Sequence, residues 1–134
     1  MRLPGFPQTP RPLRNLFSSL AAPAAGMSVQ QSFMEVIADN IRNAETTRTA
    51  DGGPYRRQIA VSNGSSTQIY KDSSEGRIVY NPGHPDADQD GMVRMPNVDI
   101  DSERADLLLT QRLHEANAAV FQVAKNMLKR ASDI

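Results

Sequence analysis

Residues 105–131 read ADLLLTQRLHEANAAVFQVAKNMLKRA, and apolar side chains recur in this stretch at spacings of three and four residues. That spacing predicts a long amphipathic helix at the C-terminal end. The central positions follow a near-heptad pattern, which is typical of a seam along which helices pack in a coiled coil. The seam positions are Leu109, Leu113, Ala116, Val120, Val123 and Met127, with Arg112 and Asn117 on their flanks.

The rest of this helix is divided between further apolar positions and a polar arc. Because apolar residues also lie off the centre of the seam, the helix is expected to touch neighbours on more than one side. Acidic and hydroxyl residues before the helix are candidate N-caps. The off-centre apolar residues are Leu107, Leu108, Ala119, Phe121 and Leu128. The polar arc, which is predicted to face solvent, carries His114, Glu115, Gln122, Lys125 and Lys129. The cap candidates are Asp99, Asp101 and Ser102.

A second apolar stripe lies near the N-terminus. Ser28, followed three residues later by Gln31, is a capping-box pattern, so a helix is predicted from about Ser28 to about Ala44. Pro23 and Gly26 predict that the preceding residues form an irregular lead-in. The stripe positions are Val29, Phe33, Val36, Ile37, Asn40, Ile41 and Asn43.

The two predicted helices differ in length. At 1.5 Å per residue, the first would extend roughly 25 Å and the second roughly 45 Å. The longer helix therefore cannot be covered within one subunit. Its surplus surface is expected to be covered by other copies of the chain or by other proteins.

Asn40 falls near the middle of the first stripe, where apolar residues are expected. Burying an unpaired amide costs about 1–3 kcal/mol, so a specific partner is predicted. A single polar residue in a helical seam can also fix the register of packing. Asn43 lies on the flank of the same face. The alternative is that both amides are helix-end residues close to solvent.

Residues 51–96 change from helical to alternating periodicity. Tyr55, Arg57, Ile59 and Val61 share one face of a predicted extended segment, and short β-prone runs follow near 67–70, 77–80 and 92–95. Asn63-Gly64, Glu75-Gly76 and residues 89–91 are predicted turns. The predicted fold is mainly α with a small β insert, and its terminal helices form a coiled-coil-like pair. Residues 1–15 are predicted to be a disordered or mis-called extension, 16–50 with 97–134 the helical axial core, and 51–96 the insert.

Composition narrows the function classes. The 134-residue chain has 15 basic and 15 acidic residues, which argues against a nucleic-acid partner. It contains no cysteine and no run of about twenty apolar residues, so neither thiolate metal sites nor an integral membrane protein is expected. Prolines interrupt the N-terminus where a secretory signal needs an apolar core.

No arrangement of side chains predicts catalysis, a cofactor or a small-molecule substrate. Residues 86–91 copy the first half of a calcium-binding EF-hand loop, but Asn97 stands where the bidentate glutamate belongs. The two histidines lack the partners of a zinc site. A polar turn is the preferred interpretation of 86–91, and no metal site is predicted.

Four motifs in this chain resemble those of a known family. They are ADNIRNA at residues 38–44, GGPYRRQ at 52–58, YNPGHPDAD at 80–88 and GMVRMPNVD at 91–99. Together they are similar to the axial proteins of the bacterial flagellum, in particular the proximal-rod group called rod protein C. The family-motif residues in the insert are Pro54, Tyr55, Pro82, Gly83, His84, Pro85, Asp86, Pro96 and Asn97.

The resemblance implies a structural, non-enzymatic subunit of the flagellar rod, the basal-body drive shaft. Its implied partners are copies of itself, other rod proteins and the flagellar type III export apparatus. The terminal helices would form the assembly seams, and the insert would contact lateral neighbours. The alternatives are another axial component of the rod or hook, or a small helical adaptor that docks its C-terminal helix in a groove.

Overall fold

A computed structural model describes residues 11–64 and 66–133, without the side chains of 11–17 and 19. Helix α1 spans Arg11–Arg42 and helix α2 spans Ile100–Ser132. Between them the described residues form four short strands: β1 Gln58–Ser62, β2 Thr67–Lys71, β3 Ile78–Tyr80 and β4 Met92–Arg94. The predicted fold class is confirmed, because two helices enclose a small β insert.

The two helices pack against each other as an antiparallel pair. Gly26 lies beside Asn117, and Asn40 lies beside Glu103, so later residues of α1 meet earlier residues of α2. α2 begins at its N-cap Asp99, whose side chain accepts hydrogen bonds from the backbone N–H groups of Asp101 and Ser102. Of the three predicted cap candidates, Asp99 therefore holds the position.

The predicted start and length of the first helix were wrong. α1 begins at Arg11, continues through Pro23 and Gly26, and contains 32 residues against 33 in α2. Proline costs about 3 kcal/mol in a helix interior, but alanines surround Pro23 and its ring is buried. The predicted lead-in at 16–26 is therefore helical, as are residues 11–15 of the predicted extension; residues 1–10 lie outside those described. α1 is thus nearly as long as α2, and the prediction that it is too short to cover α2 was wrong.

The insert consists of two separate antiparallel hairpins. β1 pairs with β2 and β3 pairs with β4, each as a two-stranded sheet. Gly64 and Gly91 adopt positive φ values of 96° and 78° at predicted turns, a conformation that favours glycine. Gly76 has a different role, because a Cβ there would lie 2.0 Å from the carbonyl oxygen of Met95.

Few residues in the described chain are fully buried. The buried apolar side chains are Val36, Ala44 and Val93 together with the rings of Pro23 and Pro96, while Asn40, Glu103 and Thr110 are the buried polar ones. Asn40 and Glu103 are each only 1% exposed. Polar groups therefore occupy the point where α1, β1 and α2 meet.

Candidate assembly surface

The predicted seam of α2 is largely exposed, and its first residue, Leu109, also borders the groove between α1, β1 and α2. Its large side chains are between 49% and 60% exposed, although they are apolar, and Ala116 between them is also exposed. We call this surface the open seam; it comprises Leu109, Leu113, Ala116, Val120, Val123 and Met127. Monomeric proteins rarely leave a continuous apolar stripe uncovered, so the open seam is the main candidate functional surface.

A second heptad series on α2 packs against α1. It is displaced by one residue from the open seam, which corresponds to about 100° around the helix. We call it the covered seam; it comprises Leu107, Thr110, His114, Asn117, Phe121, Ala124, Leu128 and Ala131, all buried or half-buried. The prediction that His114 belongs to the solvated arc was wrong, because its register places it among the residues that face α1.

The matching face of α1 repeats at the same spacing. Phe33 and Ile37 are half-buried and Val36 is buried, and these three line a groove of about 190 Å³ between α1, β1 and α2. Val29 and Ile41 are half-buried. At Gly26 the helices approach closely, because a Cβ there would lie 2.8 Å from Nδ2 of Asn117.

The two seams of α2 have the reverse of the usual polarity. Thr110, His114 and Asn117 interrupt the covered seam, whereas the open seam between Leu109 and Met127 is entirely apolar. Among the residues that the structure describes, Nδ1 of His114 and Oε1 of Gln30 are buried without a hydrogen-bond partner. The more hydrophobic of the two seams is thus the one left uncovered.

Asn40 anchors the insert to the helices. Its Nδ2 donates to the backbone carbonyl of Gln58 at 2.8 Å and to Oε2 of Glu103 at 3.3 Å. Its Oδ1 accepts from the backbone N–H of Gln58 at 2.9 Å and from the hydroxyl of Tyr55 at 2.8 Å. The amide therefore has specific partners, all within the same chain. A role in the register between subunits stays a prediction.

Glu103 and Arg57 complete this polar network. The Arg57 guanidinium donates to Oε1 of Glu103 and forms an ion pair with it. That hydrogen bond raises the pKa of Arg57, and burial, with Asp39 and Glu103 nearby, raises the pKa of the Tyr55 hydroxyl. Both groups therefore keep their ordinary protonation state at neutral pH. We call Asn40, Tyr55, Arg57, Gln58 and Glu103 the anchor network.

The YNPGHPDAD motif folds back onto the loop that follows α1. Asp86 accepts a hydrogen bond from the Thr47 hydroxyl at 2.6 Å and forms an ion pair with Arg48. The bond from Thr47 lowers the pKa of Asp86, and Arg48 adds to this effect. Nδ1 of His84 accepts from the backbone N–H of Asp86, while Pro82, Gly83 and Pro85 are exposed.

Asn97 joins three segments of the insert. Its Oδ1 accepts from the backbone N–H of Arg57 at 2.7 Å, and its Nδ2 donates to the carbonyls of Asp72 and Ser74. The neighbouring Pro96 is buried. Pro54 precedes Tyr55, whose backbone N–H bonds to the Thr46 carbonyl. These motif residues therefore lie at internal joints of the insert; their contribution to assembly stays a prediction.

Some predicted seam flanks make only local contacts. Arg112 is exposed and pairs with Glu115 on its own helix. Asn43 is half-buried; its Nδ2 donates to the Asp39 carbonyl and its Oδ1 accepts from the Thr46 hydroxyl. Asn43 thus stabilises the end of α1.

Sequence reasoning missed the importance of Glu103 and Arg57. Glu103 lies one heptad before Thr110, so extending the covered seam toward the start of α2 could have identified it. Its position in the first helical turn instead fits the general preference for acidic residues there. Arg57 was recognised only as part of an extended segment and of the motif at 52–58, without a specific role.

Two further features of the described residues bear on function. Across 11–64 and 66–133, neither helix contains an apolar window that would span a bilayer. The same residues bring together no cluster of three or more metal-ligating side chains.

This chain is similar to flagellar basal-body rod proteins. A family model described as flagellar basal body rod FlgEFG protein C-terminal matches residues 89–134. The flagellar basal-body rod protein FlgC of Borreliella burgdorferi is 34% identical, covering 87% of this chain and 95% of the relative. FlgC of Yersinia enterocolitica is 35% identical, covering 78% of this chain and 86% of the relative. FlgC of Bacillus subtilis is 32% identical, covering 88% of this chain and 97% of the relative.

Proposed function

This chain belongs to the FlgC family of flagellar basal-body rod proteins, and we infer that it is a structural subunit of the bacterial flagellar rod. The observation that carries the mechanism is the open seam of α2. Its large apolar side chains are about half exposed in the isolated subunit, so burying the remaining half of each would contribute roughly 1–1.5 kcal/mol. Neighbouring subunits supply this burial.

Assembly involves copies of this chain and other rod proteins. We propose that the open seam makes the axial helix contacts and that the insert, anchored by Asn40 and Glu103, makes lateral ones. Because every subunit repeats the same contacts, torque is shared among many modest interfaces. The exposed apolar residues of the hairpins, including Ile69, Ile78 and Tyr80, support a lateral role for the insert.

We also propose that the protein acts without catalysis. The titratable groups at the core of the described chain, Arg57, Glu103 and Tyr55, bond to each other or to Asn40. That arrangement supports a structural role for them. Delivery by the flagellar type III export apparatus belongs to the same proposal, and retention of the protein inside export-deficient cells is its test.

Replacing Leu113 by aspartate tests the role of the open seam. The variant is expressed in cells that lack the native subunit, and rods are counted in purified basal bodies. A carboxylate placed in a desolvated seam costs several kcal/mol, so cells should be non-motile and lack rods. Gln111→Asp is the matched control, since Gln111 is exposed outside the seam.

Both variants should retain the helical circular dichroism of the native protein, because neither position is buried in the subunit. Normal rods with Leu113→Asp would contradict the proposal. The adaptor alternative predicts instead that the protein is absent from washed basal bodies while cells remain motile, so the same preparations separate the two functions.

A further inference from the structure

The open seam ends in opposite charges. Continuing its heptad series by one step toward the start of α2 reaches Asp106, and one step toward the end reaches Arg130. Both side chains are exposed. The uncovered surface is therefore an apolar stripe with a carboxylate at one end and a guanidinium at the other.

This stripe is complementary to itself when two copies run antiparallel. The two-fold axis of this pair lies midway between Ala116 and Val120. Each residue at one of the two seam positions of the heptad then lies opposite a residue at the other seam position of the partner, as in antiparallel coiled coils. The layers are then Leu109 with Met127, Leu113 with Val123, and Ala116 with Val120, each occurring twice by symmetry. Asp106 lies opposite Arg130 at both ends.

Other arrangements of the same two helices are less complementary. A parallel in-register pair would place Asp106 against Asp106 and Arg130 against Arg130. Shifting the antiparallel pair by one heptad would bury Asp106 against Val123, or Arg130 against Leu113. Like charges in contact and unpaired charges in an apolar layer are both unfavourable. The charges thus select one orientation and one register.

We propose that the open seam binds a second copy of this chain in antiparallel orientation, forming a closed homodimer. Such a two-fold contact uses the same patch on both subunits and cannot propagate, unlike the head-to-tail contacts of a helical polymer. The dimer covers the seam that the proposed function assigns to rod contacts, so it is a form held outside the rod. Its existence does not depend on that assignment.

Cysteine cross-linking tests the orientation. The chain contains no cysteine, so only introduced thiols react. Leu109→Cys and Met127→Cys proteins are mixed and treated with a short bis-thiol-reactive linker. In the antiparallel dimer these positions face each other, whereas the two copies of residue 109 lie about 27 Å apart at 1.5 Å per residue. The mixture should give cross-linked dimer and each variant alone should not.

Two results would overturn this dimer. Cross-linking of Leu109→Cys alone would show a parallel pair, and no cross-linking of the mixture would show that the seam stays open. Neither result bears on incorporation into the rod, which the basal-body preparations measure independently.

Charge exchange tests the register. Sedimentation equilibrium of Asp106→Arg or Arg130→Asp should show a dimer dissociation constant raised about tenfold or more, because like charges then face each other. The combined variant should restore the native value. Lys129→Asp, an exposed neighbour outside the seam, should leave it within about threefold. A combined variant no tighter than the single ones would contradict the pairing.

Discussion

Replacing Asn40 by leucine tests whether the anchor network holds the insert on the helices. The substitution adds apolar volume on a helix, so a hydrophobic-core view expects a more stable protein. The structure predicts the opposite, because the amide makes four hydrogen bonds in a site that is 1% exposed. Leucine can make none of them.

The size of the effect follows from these contacts. A net contribution of about 1 kcal/mol per hydrogen bond gives a loss of about 4 kcal/mol. Burying the leucine side chain returns about 1.5 kcal/mol of this. The expected decrease in the free energy of unfolding is about 2–3 kcal/mol, a large part of the 5–15 kcal/mol typical of a folded domain.

Urea unfolding followed by circular dichroism measures this difference. Asn43→Leu is the matched control, since Asn43 is half-buried in the turn that directly follows the same helix and makes two local bonds. It should lose about 1 kcal/mol or less, because water can replace those bonds. Equal losses in the two variants, or a gain with Asn40→Leu, would refute the reasoning.

Three further predictions concern other parts of the subunit. Arg57→Met leaves the 1%-exposed Glu103 without its cation and should cost about 3 kcal/mol in urea unfolding, most of which Arg57→Met/Glu103→Leu should recover. Gly76→Ala drives a Cβ into a backbone carbonyl and should cost about 3 kcal/mol or more, whereas Gly53→Ala, with open space around it, should be neutral within about 0.5 kcal/mol. The pKa of Asp86 is lowered in the folded state, so the contribution of this carboxylate to stability is fully present above its ordinary pKa of 3.8 and is lost as pH falls through the lowered pKa. Asp86→Asn should therefore weaken the acid dependence of thermal unfolding below about pH 4.

The order of elements follows from local patterns in the sequence. Period-two alternation and glycine turns located all four strands, and Asp99 was among the candidate caps of α2. These features depend on neighbouring residues, which a single sequence records directly.

The first residue of α1 could not be predicted from local sequence patterns. Pro23 and Gly26 predict a break when only local propensity counts. In the folded chain Pro23 is buried and Gly26 permits the close approach of Asn117, so tertiary packing sustains the helix through both residues.

The hydrophobic pattern also did not predict which face of α2 contacts α1. The two heptad series differ by one residue, and hydrophobicity alone favours the more apolar one as the contact face. The rotation of α2 is instead held by Glu103, which must reach Asn40 and Arg57. A contact 63 residues apart in sequence therefore decides which seam stays open.

The same contact has a consequence for chain entropy. Bringing α2 against α1 without the insert would close one loop between Asn40 and Glu103, positions 63 residues apart. Gln58 bonds to Asn40 over a separation of 18 residues, and Arg57 bonds to Glu103 over 46. The single 63-residue loop closure is thereby replaced by two shorter loop closures that meet at the adjacent residues 57 and 58. Once one loop has closed, its ordered end provides the attachment point for the other. The insert thus binds both helices and fixes the one alignment in which these two segments, distant in sequence, pack together.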